Sequence, residues 1–405
     1  MKLLTFSTLF PNAVQPNHGI FVETRLRYLV ASGQASARVV APVPWFPLRH
    51  PRYGKYADYA KVPGREQRDG MDISHPRYLT LPKVGMSVAP GLLAQAAKRD
   101  IGRILDEGYD FDLIDAHYFY PDGVAAVMLG KYFNKPVVIT ARGSDINLLP
   151  QFALPRRMIL WAARNAHGSI TVSQALKNEM TRLGAAPDGI TPLRNGVDLR
   201  RFGPLDRDAI RRELGLARYT LLSVGQLAEH KGHGLIIGAL PAMPDVALLI
   251  AGQGPDRARL EAQAHQLGVA GRVTFLGALP QAELPRYYNA ADALVLASSR
   301  EGWANVLLES MACGTPVVAS DVGGSGEVVA APAAGVLMRE RSVRGLTDAV
   351  QVLRAAAPGR AATRAYAELF SWDATTQGQL SLFRSILQRR NAPQWPSTRT
   401  AHDER

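Results

Sequence analysis

The run Glu301-Gly302-Trp303-Ala304-Asn305-Val306-Leu307-Leu308-Glu309 sets two carboxylates apart by seven residues, and Ser310-Met311-Ala312-Cys313-Gly314-Thr315-Pro316-Val317-Val318-Ala319 follows it. The pattern predicts a helix that begins between them, with Glu301 ahead of it and Glu309 about two turns inside. The start of a helix offers free N–H groups and the positive end of its dipole to an anion. A carboxylate beside such a site is badly placed for phosphate and well placed for neutral hydroxyls. Glu301 and Glu309 therefore point to a ligand in which hydroxyl-rich groups carry a diphosphate. The plainer reading is that Glu301 caps the helix and Glu309 lies on a solvated face, since acids favour a helix's first turn.

Upstream, Val224-Gly225-Gln226-Leu227-Ala228-Glu229-His230-Lys231-Gly232 supplies a lysine that could stabilise a departing diphosphate as a point charge. Its plainer reading is an exposed lysine at a helix start. Asp112-Leu113-Ile114-Asp115-Ala116-His117 ends an apolar strand on a histidine at a sheet's carboxyl edge, where a satisfied core histidine is the competing account. After the first strand come Thr8-Leu9-Phe10-Pro11 and Asn17-His18-Gly19-Ile20, a glycine-containing turn into the first helix. Cys313 reads as a small buried helix residue with nothing nearby to activate a thiolate.

The stretch from Glu301 to Ala319, continued by Ser320-Asp321-Val322-Gly323-Gly324-Ser325-Gly326-Glu327, resembles the donor-binding motif of family-4 glycosyltransferases. That family is retaining and has the two-domain GT-B fold. The resemblance implies that Glu301 faces the donor sugar and Glu309 holds the ribose hydroxyls, while N–H groups near Ala304, Asn305 and Val306 touch sugar and phosphate. Where the family usually has Gly-Arg, four residues and Lys-Gly, Lys231 matches but Gln226 replaces the arginine; Arg142 and Arg194 are candidate substitutes. Gly19 is similar to the family's glycine under the diphosphate, and His117 to a histidine facing the scissile bond. Thr140-Ala141-Arg142-Gly143-Ser144-Asp145 resembles a loop approaching the donor, with Arg142 where histidine is commoner and Asp145 counted as substrate-binding, as is Leu279. Asn195-Gly196-Val197-Asp198 is a further hallmark, read mainly as a turn.

The activity so implied is transfer of a sugar from a nucleoside diphosphate sugar to a saccharide or lipid-linked saccharide, with retention and with neither metal nor cofactor. A nucleotide-sugar 2-epimerase of the same fold and a non-catalytic nucleotide-sugar-binding protein are the alternatives. Asp110 and Asp112 straddle Phe111 at a strand start, so no Asp-x-Asp metal site is read. No Gly-x-Gly-x-x-Gly follows the first strand, which counts against a dinucleotide oxidoreductase, and no Walker-type loop is present.

Short apolar runs alternate with helix-period segments through both halves. Val39-Val40-Ala41, 112–115, 137–140 and 169–172 read as buried strands, with helices around 20–31, 90–106, 122–132 and 155–166. A second cycle has strands at 220–224, 246–250, 273–276, 293–296 and 316–319. This is the βαβ signature of parallel, doubly wound sheets. The expectation is an α/β protein of two Rossmann-like domains facing across a cleft: an acceptor domain over 1–200 and a donor domain over 201–372. A helix over 373–390 returns to the first domain, and 391–405 is a disordered tail. Region 42–70 breaks the rhythm and reads as an irregular insertion.

Composition sets outer bounds. At 405 residues, 47% hydrophobic and 20% charged, the chain suits two globular domains. One cysteine excludes disulfides and cysteine-cluster metal sites. No run of about 18 apolar residues occurs, and the N-terminus reads as a strand and not a signal peptide, so a cytoplasmic protein is expected. A net charge of +12 and a pI near 9.9 favour anionic partners, but no nucleic-acid module is recognisable. Segment 83–106, mixing apolar residues with Lys98, Arg99 and Arg103, reads either as an ordinary amphipathic helix or as a contact with an anionic membrane face.

Overall fold

The computed structural model describes residues 1–80 and 85–391. Two sheets organise it. The first runs in the order Ile190–Pro192, Gly168–Thr171, Val137–Ala141, Leu113–His117, Lys2–Phe6, Ser36–Val40, Met71–Ser74, Arg65–Arg68. Every pairing is parallel except the last, where Arg65–Arg68 runs antiparallel to Met71–Ser74. Its central strands are buried from end to end, as all five residues of Leu113–His117 and of Val137–Ala141 show. Both faces are covered by helices, as parallel sheets require.

The second sheet runs Val273–Gly277, Val246–Ala251, Tyr219–Val224, Ala293–Leu296, Val317–Ser320, Gly335–Met338, with all pairings parallel. Counted from Tyr219, that is the order 3-2-1-4-5-6 of a Rossmann fold. In both sheets the order reverses beside the first strand. Lys2–Phe6 lies between Ser36–Val40 and Leu113–His117, and Tyr219–Val224 lies between Val246–Ala251 and Ala293–Leu296. Such a switch point opens a crevice beyond the carboxyl ends of the strands. Here the two crevices face each other.

The last helix, Trp372–Asn391, packs on Ile20–Ala31. Leu380, Phe383 and Ile386 join Leu3, Val22, Leu26 and Leu29 in one buried cluster. The helix Trp372–Asn391 is thereby fastened to the first domain.

Region 42–70 is more regular than its composition suggests. It holds the strand Val43–Pro44, the helix Lys55–Lys61 and the edge strand Arg65–Arg68. The last escapes notice because its sequence, Arg-Glu-Gln-Arg, is that of a solvated edge. Met71–Ser74, Ile190–Pro192 and Gly335–Met338 also went unforeseen. The helix Gly85–Asp106 turns Leu93, Ala97, Ile101 and Ile104 into the core. Its Lys98 ammonium lies 4.2 Å from the centroid of the Tyr132 ring, and Arg103 pairs with Asp100 at 3.1 Å. It is an amphipathic helix on its own sheet. Residues 83 and 84 of the proposed membrane segment, and 392–405 of the tail, lie outside the described residues. Among the described residues no helix is long and apolar enough to cross a membrane.

Candidate active site

A cleft of about 490 Å³ lies between the carboxyl ends of the two sheets. The first domain contributes Leu9, Phe21, Tyr118 and Arg142; the second contributes Gln226, His230, Lys231 and residues 300–306. The 3-10 turn Glu229–Lys231 follows the strand Tyr219–Val224 and brings Lys231 to the cleft. Lys231 Nζ lies 2.6 Å from Glu301 Oε1, and both side chains are largely shielded. The neighbouring backbone is tied down as well, since Ser299 N–H donates to the His230 carbonyl at 2.8 Å.

The helix between the two glutamates spans Asn305–Ala312. Its N-cap, Ala304, has no side-chain oxygen to occupy the first N–H groups, so they are open to an anion in the cleft. Glu309 is the fifth residue of this helix, a turn inside it and not two. Its carboxylate accepts from Tyr288 Oη at 2.8 Å and borders a small crevice shared with Asn305 and Arg201. Burial pushes Glu309 up to about 7, against the opposing effects of the Tyr288 hydrogen bond and Arg201.

Gln226 lines the cleft. Arg194 does not reach it: its guanidinium pairs with Glu327 at 3.0 Å and borders a different cavity. Arg142 lines the cleft but is heavily engaged. It donates to His117 Nδ1 at 2.7 Å and to Asn195 Oδ1 at 3.3 Å, and lies 5.3 Å from the Phe21 ring centroid. Arg300, which no sequence motif singles out, also lines the cleft and has no ion pair or hydrogen bond among the described residues. It is flanked by the lysine–glutamate pair and by His230.

His117 stands elsewhere than expected. It is 1% exposed and sits behind Arg142, with Nε2 3.3 Å from Asp115 Oδ2. Burial lowers it to about 4, so the ring is neutral near pH 7. With Nδ1 accepting from Arg142, the proton resides on Nε2. His117 does not border the cleft; it orients the arginine that does. The reason is non-local, because Asp115, Gln379 of the last helix and Arg25 form one buried polar group around it. Gln379 Nε2 donates to Asp115 at 3.1 Å, and Arg25 Nε donates to Gln379 at 3.0 Å.

Asp145 is likewise buried beneath the site. It accepts N–H groups from Phe119 at 2.8 Å, Gly143 at 2.7 Å and Arg142 at 3.1 Å, and so shapes the loop under the cleft. Gly19 caps Ile20–Ala31 at φ 68°, where a Cβ would overlap the Leu9 carbonyl; it presses the Leu9 loop toward the cleft without lining it. Leu279 is half-buried on a turn outside the cleft. Ala304, Asn305 and Val306 all border it. Tyr118, unforeseen, has φ 82° and shares a hydrogen bond of 2.9 Å with Ser144 Oγ at the rim. Such a backbone outlier beside a cleft marks functional constraint more often than chance. Among the described residues no group of three or more His, Cys, Asp or Glu is placed to hold a metal ion.

Two Rossmann-like domains that face each other across this cleft give the chain the GT-B architecture. Residues 206–369 match the family model described as glycosyl transferases group 1, and residues 59–201 that of glycosyltransferase family 4. The chain belongs to this family and is a glycosyltransferase. It is 28% identical over 367 residues to the Bacillus subtilis teichuronic acid biosynthesis glycosyltransferase TuaC, covering 86% of this chain and 88% of that one. It is 32% identical over 318 residues to the glycogen synthase of Mycobacterium tuberculosis, covering 74% and 75%. Among solved structures, sucrose-phosphate synthase from Thermosynechococcus elongatus superposes with a TM-score of 0.80 at 21% identity, over 96% of this chain and 99% of that one. Anabaena HepE in complex with UDP superposes with a TM-score of 0.72 at 21% identity, over 95% and 100%. These likenesses do not favour an epimerase or a non-catalytic binding protein.

Proposed function

We propose that the enzyme is a retaining, metal-independent hexosyltransferase that moves a sugar from a nucleoside diphosphate sugar to a saccharide or lipid-linked saccharide. The observation that carries this is the pairing of Lys231 with Glu301 beside the uncapped start of Asn305–Ala312, with Glu309 one turn further on. The diphosphate would rest on the N–H groups of residues 304–306, and Lys231 would turn from Glu301 toward it. Glu301, released, would accept from a hydroxyl of the donor sugar, and Glu309 from the ribose. As the glycosidic bond to phosphate breaks, charge develops on the leaving oxygen. Lys231, Arg300 and the helix start would neutralise it, the work a metal does elsewhere. Among the described residues no side chain is placed as an evident covalent nucleophile, which supports attack from the face that the diphosphate leaves.

In this reading residues 201–372 hold the donor, residues 1–200 the acceptor, and 373–390 bind the two together. HepE was solved with UDP, which makes UDP sugars the first donors to try. TuaC's teichuronic acid role supports a polysaccharide acceptor. An anionic membrane face remains part of the proposal, through exposed Trp45 and Leu48 beside Arg49 and Arg52 in the first domain and no longer through the helix Gly85–Asp106.

The deciding experiment is a thermal-shift screen of UDP, GDP and ADP sugars, followed by product analysis with and without EDTA. A ligand at 100 times its dissociation constant stabilises by about 2.7 kcal/mol. The expected product is an α-linked transferred sugar from an α-linked donor, unaffected by chelator. Release of an epimerised free sugar, inversion, or loss of activity in EDTA that manganese or magnesium restores would each overturn the corresponding part.

A further inference from the structure

Glu327 belongs to the second domain, on the short helix Ser325–Val328, yet its carboxylate completes a helix of the first. Oε1 accepts the N–H of Ala175 at 2.8 Å, and Oε2 accepts that of Gln174 at 3.1 Å. These are the first two N–H groups of Gln174–Leu183. The helix's own cap, Ser173 Oγ, reaches only the N–H of Leu176, at 3.1 Å. Arg194 Nε adds a third bond to Glu327 Oε2 at 3.1 Å. A carboxylate here meets both the unsatisfied donors and the positive end of the helix dipole. The Glu327 side chain is 17% exposed, so water only partly competes for those contacts.

The segment leading to Glu327 touches the catalytic loop. Gly323 and Gly324 pack on the backbone of residues 301–303: a Cβ at Gly323 would overlap the Glu301 carbonyl, and one at Gly324 would lie 2.7 Å from the Gly302 carbonyl and 3.1 Å from Ser173 Cβ. On its other side the same loop meets the first domain again. A Cβ at Gly302 would overlap the Arg142 carbonyl, and Asn147 Nδ2 donates to the Glu301 carbonyl at 3.2 Å. Residues 301–303 are thus held between the Arg142–Gly143 turn and the Gly323–Gly324 turn, and Glu327 fastens the second of these to the first domain.

We propose that Glu327 is a positioning residue: by completing the start of Gln174–Leu183 it clasps the two domains shut and thereby sets the loop that presents Glu301. This rests on the reading that Glu301 faces the donor sugar. Glu327 touches no reacting atom. Nucleotide binds chiefly to the second domain in this scheme, so loss of the clasp leaves nucleotide affinity and lowers turnover.

Hydrogen exchange, nucleotide calorimetry and turnover on Glu327→Gln test it. Glutamine keeps the volume but turns an NH2 group toward an N–H or toward Arg194. The expected result is faster exchange at residues 174–176 and also at 142–147 and 301–303. Affinity for UDP, GDP or ADP, whichever the wild type binds, should stay within about threefold, while turnover falls about tenfold, the effect of roughly one lost cap. Ser173→Ala, which removes the helix's own cap, should speed exchange at 174–176 alone. Exchange confined to 174–176 in Glu327→Gln with turnover within twofold would overturn the proposal, as would a parallel fall in nucleotide affinity. If Glu327→Gln does not fold, Glu327→Asp, which keeps the charge and shortens the reach, decides by the same criteria. A wild type that neither binds nucleotide nor turns over any sugar nucleotide would defeat the donor reading, while the exchange pattern would still judge the clasp.

Discussion

Lys231 and Glu301 neutralise each other across 2.6 Å in the cleft between the two domains. In the proposed function the donor would divide this pair. In the proposed reaction the lysine would be freed for the diphosphate as a donor hydroxyl takes the glutamate, so neither charge is left uncompensated at any stage. Lys231→Ala should reduce turnover by about 100- to 1000-fold, the usual effect of removing one transition-state donor. Stability should fall by about 3 kcal/mol or less, because the loss leaves the largely shielded Glu301 carboxylate without its partner. Turnover within about threefold of wild type, measured under saturating donor, would exclude Lys231 from the leaving-group site.

Arg300 and Gln226 should behave as a compensating couple. With Gln226 in the family arginine's position and Lys231 committed to Glu301, Arg300 is a cleft cation with no partner among the described residues. Arg300→Gln should weaken nucleoside diphosphate binding about tenfold, within the range of one charge-assisted hydrogen bond. Gln226→Arg in that background should restore much of it. Calorimetry on both variants checks this; undiminished affinity in Arg300→Gln would return the role to Arg142.

The contrast between these residues shows what a sequence can carry. The strands on either side of the cleft are legible because they are buried on both faces and so become unbroken apolar runs, as at Val137–Ala141. The helix start after Glu301 is legible from its local motif. His117 is not, because its burial depends on Arg142, Asp115 and a glutamine from the far end of the chain. Arg300 was overlooked because a cation beside the motif looks like any surface arginine until the fold places it in a cleft. Arg65–Arg68 escaped because an edge strand facing water needs no apolar residue.

Binding of a sugar nucleotide should depend on pH through Glu309, which burial raises to about 7. A ribose hydroxyl needs an ionised acceptor, so affinity for UDP-glucose, or the donor the screen selects, should rise about tenfold between pH 6 and 8. Glu309→Gln should abolish the rise; a slope that survives the substitution would assign it to another group. Stability moves the opposite way. The folded protein keeps a proton on Glu309 that the unfolded chain releases from about pH 4.5 upward, so this contribution declines from there to pH 7 and is level above it. Tyr288, Arg201 and Cys313 are the titratable neighbours of this carboxyl. Asp122, also raised to about 7 by burial, changes charge in the same window but lies beside Thr8, in the first domain.

Anionic vesicles should retain the protein at low salt and release it at high salt. Each basic residue at such a surface contributes about 1 kcal/mol, so three or four give reversible attachment. Arg49→Gln with Arg52→Gln should halve the pelleted fraction or better. Equal, negligible pelleting with anionic and neutral lipid would point to a soluble acceptor.

Gly302 offers the most direct test of cleft closure. Its missing side chain lets the Glu301 loop touch the Arg142–Gly143 turn, and a Cβ there would overlap the Arg142 carbonyl, which is backbone and unable to swing aside. Gly302→Ala should leave the second domain able to bind nucleotide within about threefold, since the N–H groups of residues 304–306 are untouched. Turnover should drop by 100-fold or more, because a displacement of about 1 Å in a catalytic loop has that effect. Scattering measurements with nucleotide bound should show a larger radius of gyration for the variant than for the wild type. A variant that stays compact and fully active would mean that the Arg142–Gly302 contact plays no part in assembling the site.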